Sequence, residues 1–136
     1  MHQYNSVQRM LGCLLAIVLS TAIPIADGNA ATTENFMAKT TADLIALCNT
    51  DPSQSNYIAA IHFCEGFATG AYQYYLSVAA DSPTDRYVCL PNPPPSRDSV
   101  KAAFVAWAQA NPDSLTQAPV DSLFRYLGTT YPCSAN

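Results

Sequence analysis

The sequence predicts a small all-α domain of four helices, or five if short turns are counted, stapled by disulfides. Three observations predict it. Beyond residue 40 the apolar residues recur at steps of three and four. No alternating apolar–polar run is long enough for a convincing strand. Once an N-terminal export signal is removed, Cys48, Cys64, Cys89 and Cys133 remain. An even number of cysteines in an oxidising compartment reads as two disulfides rather than as metal or redox chemistry.

Residues 1–30 read as a cleaved signal peptide. A polar start with Arg9 leads into an apolar run from Met10 to Ile25 and then into Gly28-Asn29-Ala30. The run is short for a membrane span, and no basic stop signal follows it. Leu11-Gly12-Cys13 looks a little like a lipoprotein cleavage box, but most of the apolar residues follow Cys13, where lipidation requires them to precede it. Cleavage after Ala30 removes Cys13 and leaves about 106 residues, enough for one domain. Residues 31–39 read as a flexible leader, and 40–136 as the helical domain.

Thr40 with Asp43 forms a helix start, a Thr cap with an acid in the first turn, and Leu44, Ile45, Leu47 and Cys48 follow as an apolar face. Asn49-Thr50-Asp51-Pro52-Ser53 breaks this helix. The longest element runs from about Ser55 to Ala80. Ile61, Cys64, Ala68, Ala71, Tyr75 and Val78 make one stripe, and Phe63, Phe67, Gly70 and Tyr74 a second beside it. Two adjacent stripes predict a central helix covered by its neighbours. Gly66 and Gly70 lie on one face, where another backbone could approach closely. Pro83, Pro91, Pro93, Pro94 and Pro95 exclude a regular helix from Asp81 to Ser96, and a connector of that length is often functional.

Ser96 caps a third helix, Arg97 to about Ala110, with Val100, Phe104 and Trp107 facing inward, and Asn111-Pro112-Asp113 ends it. Pro119 suits the first turn of a fourth helix. Val120, Leu123, Phe124 and Leu127 form its face, and Gly128 reads as its stop. Pairing Cys48 with Cys64 and Cys89 with Cys133 is favoured, although the crossed connectivities stay open on spacing alone. Closing such loops is worth about 3 and about 4 kcal/mol in the chain-entropy model.

Charge narrows the function. After cleavage the cations are Lys39, Arg86, Arg97, Lys101 and Arg125, against nine Asp and Glu (the chain's ten less Asp27), a net charge near −4. So few cations in an acidic chain argue against nucleic acid and against anionic membranes. His62, Cys64 and Glu65 form the one cluster that could suggest an active site. His62 and Cys64 are two apart on a helix, however, and point to different sides. An exported cysteine with three companions is oxidised rather than nucleophilic. No zinc-ligand spacing, serine triad, carboxylate pair or phosphate loop is present, so no catalytic residue and no cofactor is expected. Tyr72, Tyr74 and Tyr75 around the long helix, and Trp107, read as packing residues with their polar ends toward the surface. Asp85, Arg86 and Tyr87 in the long connector are the candidate partner contacts, since Tyr and Arg favour interface hot spots. A solvated connector held by Cys89 is the plainer reading of the same residues.

Three stretches together carry a resemblance: Thr41-Ala42-Asp43-Leu44-Ile45-Ala46-Leu47-Cys48, Phe63-Cys64-Glu65-Gly66-Phe67-Ala68-Thr69-Gly70, and Ala118-Pro119-Val120 with the closing Tyr131-Pro132-Cys133. In order and spacing the chain resembles the Tai/Rap immunity proteins, which protect bacteria against type VI secretion amidase effectors. The resemblance implies a small helical periplasmic protein, often a homodimer, that is not an enzyme. Its partner is then a secreted Cys-His peptidoglycan amidase whose cleft it occludes with a loop or helix end, a toxin–antitoxin-like pairing. The matched cysteines and glycines are scaffold positions, whereas Asp85, Arg86 and Tyr87 come from loop position and composition. The proline run after Cys89 is longer and less polar than the family pattern. Two other functions compete: a periplasmic acid-stress chaperone, which exposes apolar surface at low pH, and an enzyme depending on His62.

Overall fold

In the computed structural model, which describes residues 30–134, four α-helices run Thr41–Cys48 (α1), Tyr57–Asp81 (α2), Arg97–Ala110 (α3) and Pro119–Thr130 (α4). The described residues contain no strand, only a single antiparallel bridge between Val88 and Pro132. The signal-peptide reading falls on residues outside the described ones, apart from Ala30. No helix among the described residues is long and apolar enough to cross a membrane.

α1 is the hub, packing against each of the other three helices. Its start is fixed by a reciprocal cap: the Asp43 N–H donates to Thr40 Oγ1 at 3.3 Å, and the Thr40 N–H donates to Asp43 Oδ2 at 2.9 Å. Burial works to raise the pKa of the Asp43 carboxyl, but hydrogen bonds from Asn35 and Thr40 outweigh it and hold the group below its ordinary value. Leu44, Leu47, Phe104, Leu123 and Leu127 form the centre of the core. The Cys48–Cys64 disulfide, its two residues nearly inaccessible, ties α1 to α2 through that core. A buried polar string also crosses it. Thr41 Oγ1 hydrogen-bonds Ser122 Oγ at 2.8 Å, and the Ser122 hydroxyl donates to the Ser114 carbonyl at 3.2 Å.

Several expectations are corrected. Residues 31–39 are no loose leader. Thr33–Met37 forms a 3-10 helix against α1, Ala31 is buried, and Phe36 meets Phe63 edge-on at 5.5 Å. A second 3-10 turn, Pro83–Asp85, opens the proline-rich connector, and a third, Pro112–Thr116, links α3 to α4. α2 is not covered along both its stripes. Its 25 residues extend about 37 Å, whereas the 8 residues of α1 extend only about 12 Å. Only Ala60, Cys64 and Ala79 of α2 are fully buried, and Tyr74 and Val78 lie exposed at 73% and 52%. Phe67 is half-buried against the core, but Gly66 and Gly70 meet nothing: a Cβ at either would enter open space. Trp107 is half-buried, stacked on Phe104 at 6.3 Å and tilted against Tyr126 at 6.1 Å. Val120 is exposed rather than on the inner face of α4. Gly128 does not stop α4. It lies inside the helix without positive φ, and the cap is Tyr131, whose N–H donates to the Leu127 carbonyl at 2.8 Å.

Candidate functional site

The connector between α2 and α3 is anchored in its middle. Val88, a loop residue, is completely buried in the core. The N–H groups of Tyr87 and Val88 both donate to the Tyr75 hydroxyl of α2, at 2.7 and 2.9 Å. On the other side the Cys89 N–H donates to the Tyr131 carbonyl at 2.8 Å, and the Cys133 N–H donates to the Tyr87 carbonyl at 3.3 Å. The Cys89–Cys133 disulfide closes the same junction covalently. Three residues of an otherwise aperiodic loop are thus fixed from both sides. The residues just before them, Asp85 and Arg86, project into solvent.

Tyr87 bridges anchor and surface. Its ring meets Tyr75 edge-on at 5.2 Å and Phe124 at 6.4 Å, yet the residue is 49% exposed. Burial first, then the neighbouring Tyr75 phenol, raises the Tyr87 phenol above its ordinary pKa. Gly128 makes this seat: a Cβ there would stand 3.1 Å from a Tyr87 ring carbon. The glycine that reads in sequence as a helix stop is in fact a gap in α4 that receives an aromatic ring.

A surface groove runs alongside, lined by Arg86 and Tyr87 of the connector, Phe124, Arg125 and Thr129 of α4, and Pro132. It brings together two of the three proposed contact residues, Asp85 not being part of its lining, and adds Arg125. No acidic side chain lines it, and neither arginine makes an ion pair among the described residues. A chain with a net charge near −4 therefore presents a local cationic, aromatic-floored groove. Arg125 carries no signal of its own in the sequence. It is one polar residue on the outward side of α4 and joins the site only because the connector docks there.

A second cavity of about 370 Å³ lies between α2, α3 and the connector, floored by Leu44, Phe104, Leu123 and the Cys48–Cys64 disulfide. At its edge the Lys101 ammonium bridges Glu65 at 2.9 Å and Asp98 at 2.7 Å. His62, the one possible base, is exposed on α2, while Cys64 is locked in its disulfide. Among the described residues no group of three His, Cys, Asp or Glu could hold a metal ion. The chemistry this surface supports is recognition, with its cationic and aromatic groups fixed in advance.

Comparison with known proteins adds one finding. The family described as Rap1a immunity proteins matches residues 40–133, from the cap of α1 to the last cysteine. No curated protein and no solved structure gives a significant match.

Proposed function

The chain belongs to the Rap1a immunity protein family, and from that premise we propose that it neutralises a secreted peptidoglycan amidase, delivered by type VI secretion, by occluding its catalytic cleft in the periplasm. As a member of the family it is an immunity protein directed at a secreted effector, and it acts by binding rather than as an enzyme. The contact element in this proposal is the connector tip, Asp85-Arg86-Tyr87, together with Arg125 beside it. The observation that carries the proposal is the double anchoring of Tyr87. A side chain type favoured at hot spots stands half exposed on a loop already held by hydrogen bonds, a disulfide and the seat at Gly128. An occluding element must hold its shape when it meets the cleft, since any ordering on binding subtracts from affinity.

The test is inhibition. The signal-cleaved protein is titrated against secreted Cys-His amidases while release of peptidoglycan stem peptides is followed. Stoichiometric one-to-one inhibition of a cognate enzyme is expected. Arg86→Ala and Tyr87→Ala each weaken it by about 2 kcal/mol, roughly thirtyfold. Binding to a secreted effector without any effect on stem-peptide hydrolysis would remove the amidase from the assignment.

A further inference from the structure

We propose that the cavity between α2, α3 and the proline-rich connector is a binding site for a single-chain anionic amphiphile, an alkyl carboxylate of fatty-acid type. Its volume, about 370 Å³, lies within the range of small-molecule sites, about 300 to 1,000 Å³. Such sites are largely apolar with a few polar groups that fix orientation, and this one has that distribution. Leu44, Phe104 and Leu123 make the floor, Leu76 adds to the wall, and the polar side chains in the lining are few, Thr69 and Gln73 besides the charged Glu65, Arg97 and Lys101. Water is a poor occupant of the inner part, because a buried water needs two to four polar partners. An engineered enclosed apolar cavity of about 150 Å³ takes up benzene; this space is larger, open to solvent on one side and mainly apolar in its lining.

The head group follows from the charges at the edge. Glu65 and Asp98 are both engaged by Lys101, the first at 2.9 Å and the second at 2.7 Å. Arg97, which also lines the cavity, makes no ion pair among the described residues. It is the cation left over, and a carboxylate on the mouth of the cavity complements it, with the bidentate geometry that guanidinium offers. Glu65, Asp98, Lys101 and Arg97 together sum to zero charge, so head-group selection rests on the position of Arg97, which repels a cationic head, and not on a net field. Leu90 and Pro95 of the connector also line the cavity, so the segment that holds Tyr87 at one end borders this site at the other.

Dodecanoate, dodecanol and dodecyltrimethylammonium, each below its micelle-forming concentration, test the assignment by calorimetric titration of the oxidised protein. Saturable one-to-one binding of dodecanoate is expected, weaker binding of dodecanol and least of the ammonium. Arg97→Gln lowers dodecanoate affinity about tenfold and leaves dodecanol unchanged. Ala68→Phe, which places a ring in the cavity, abolishes binding of all three, with the helical circular dichroism checked for folding. Phosphatidylglycerol vesicles do not bind. The proposal is overturned if dodecanoate fails to saturate, if the ammonium binds equally well, if Arg97→Gln changes nothing, or if the vesicles bind in its place. None of these readouts involves an effector, so the result stands apart from the amidase assignment.

Discussion

Tyr75 and Tyr87 are joined twice: the Tyr87 N–H donates to the Tyr75 hydroxyl at 2.7 Å, and the two rings meet edge-on at 5.2 Å. The same hydroxyl takes the Val88 N–H at 2.9 Å. One phenol on a long helix thereby satisfies two consecutive loop amides that have no strand to pair with. Unpaired buried amides are costly, and here a helix side chain does what a β-ladder does elsewhere.

Tyr75→Phe removes that acceptor and leaves the ring packing. The Val88 amide is buried and loses its partner, so the expected cost is about 1–3 kcal/mol. The loss is local. Amide exchange of Tyr87 and Val88 accelerates, while Leu44 and Leu47 in α1 keep their protection. Effector binding is expected to weaken although Tyr75 does not line the groove. Unchanged exchange at Tyr87 and Val88 would show that the disulfide alone holds the connector.

The two disulfides differ in exposure, which predicts their order of reduction. Cys48 and Cys64 are 6% and 3% accessible, whereas Cys89 and Cys133 are half-buried and border the groove. Thiol–disulfide exchange requires access to sulfur. Mild reductant under native conditions therefore opens Cys89–Cys133 first, as alkylation and mass spectrometry would read. Effector binding is expected to weaken at that stage, before helical circular dichroism changes. Losing this tie costs about 4 kcal/mol in the entropic model, with Val88 and Tyr75 still holding the loop. Reduction of Cys48–Cys64 first would contradict the reading.

The helices were legible because their signals are local. Thr40 and Asp43 mark one start, Ser96 and Pro119 two others, and the observed bounds of α3 match its cap and its Asn-Pro end. What sequence missed depends on who packs against whom. Val78 and Val120 continue an apolar period, but no described element covers them and both stay exposed. Gly128 looks like punctuation and proves to be a seat, because the ring that fills it comes from the connector, far away in sequence. Arg125 enters the groove for the same reason. Tyr87 and Arg86 were legible from composition; the geometry that fixes them was not.

The buried string of hydroxyls separates used from unused polar groups. Ser122 is completely buried, bonded to Thr41 at 2.8 Å and to the Ser114 carbonyl at 3.2 Å. Ser122→Ala breaks both bonds, at an expected cost of about 1–2 kcal/mol. The freed Thr41 hydroxyl then turns its proton to the Gln117 carbonyl at 3.1 Å, which limits the loss. The Ser114 hydroxyl is also buried but has no partner. Ser114→Ala is therefore expected to be neutral or slightly stabilising, since an unsatisfied group is removed. Urea titration of the two variants gives the comparison; equal losses would mean that the Ser114 hydroxyl is hydrogen-bonded in solution.

Tyr126 is expected to make stability fall at alkaline pH. Its ring packs on Phe104 at 5.6 Å, its buried hydroxyl lies beside Tyr131 and Thr130 without a well-formed hydrogen bond to either, and burial, then the neighbouring Tyr131 phenol, pushes its pKa from 10.0 up to about 12. Below the unfolded value near 10, both states keep the proton and stability is fully present. Between the unfolded and folded values the unfolded chain releases a proton that the native state retains. Stability then falls as pH rises, by about 1.4 kcal/mol per unit and roughly 2–3 kcal/mol in all. Tyr87 is shifted in the same direction, so wild type alone cannot assign the slope. Tyr126→Phe can: it removes the Tyr126 share and keeps the ring against Phe104, so its stability at neutral pH is expected to stay close to wild type. Denaturation curves of the two proteins run together up to pH about 9 and diverge above it, with the variant holding its stability further. Curves that stay parallel to the highest pH would show that Tyr126 ionises as freely in the native state as in the unfolded chain, and that its burial does not govern the alkaline transition.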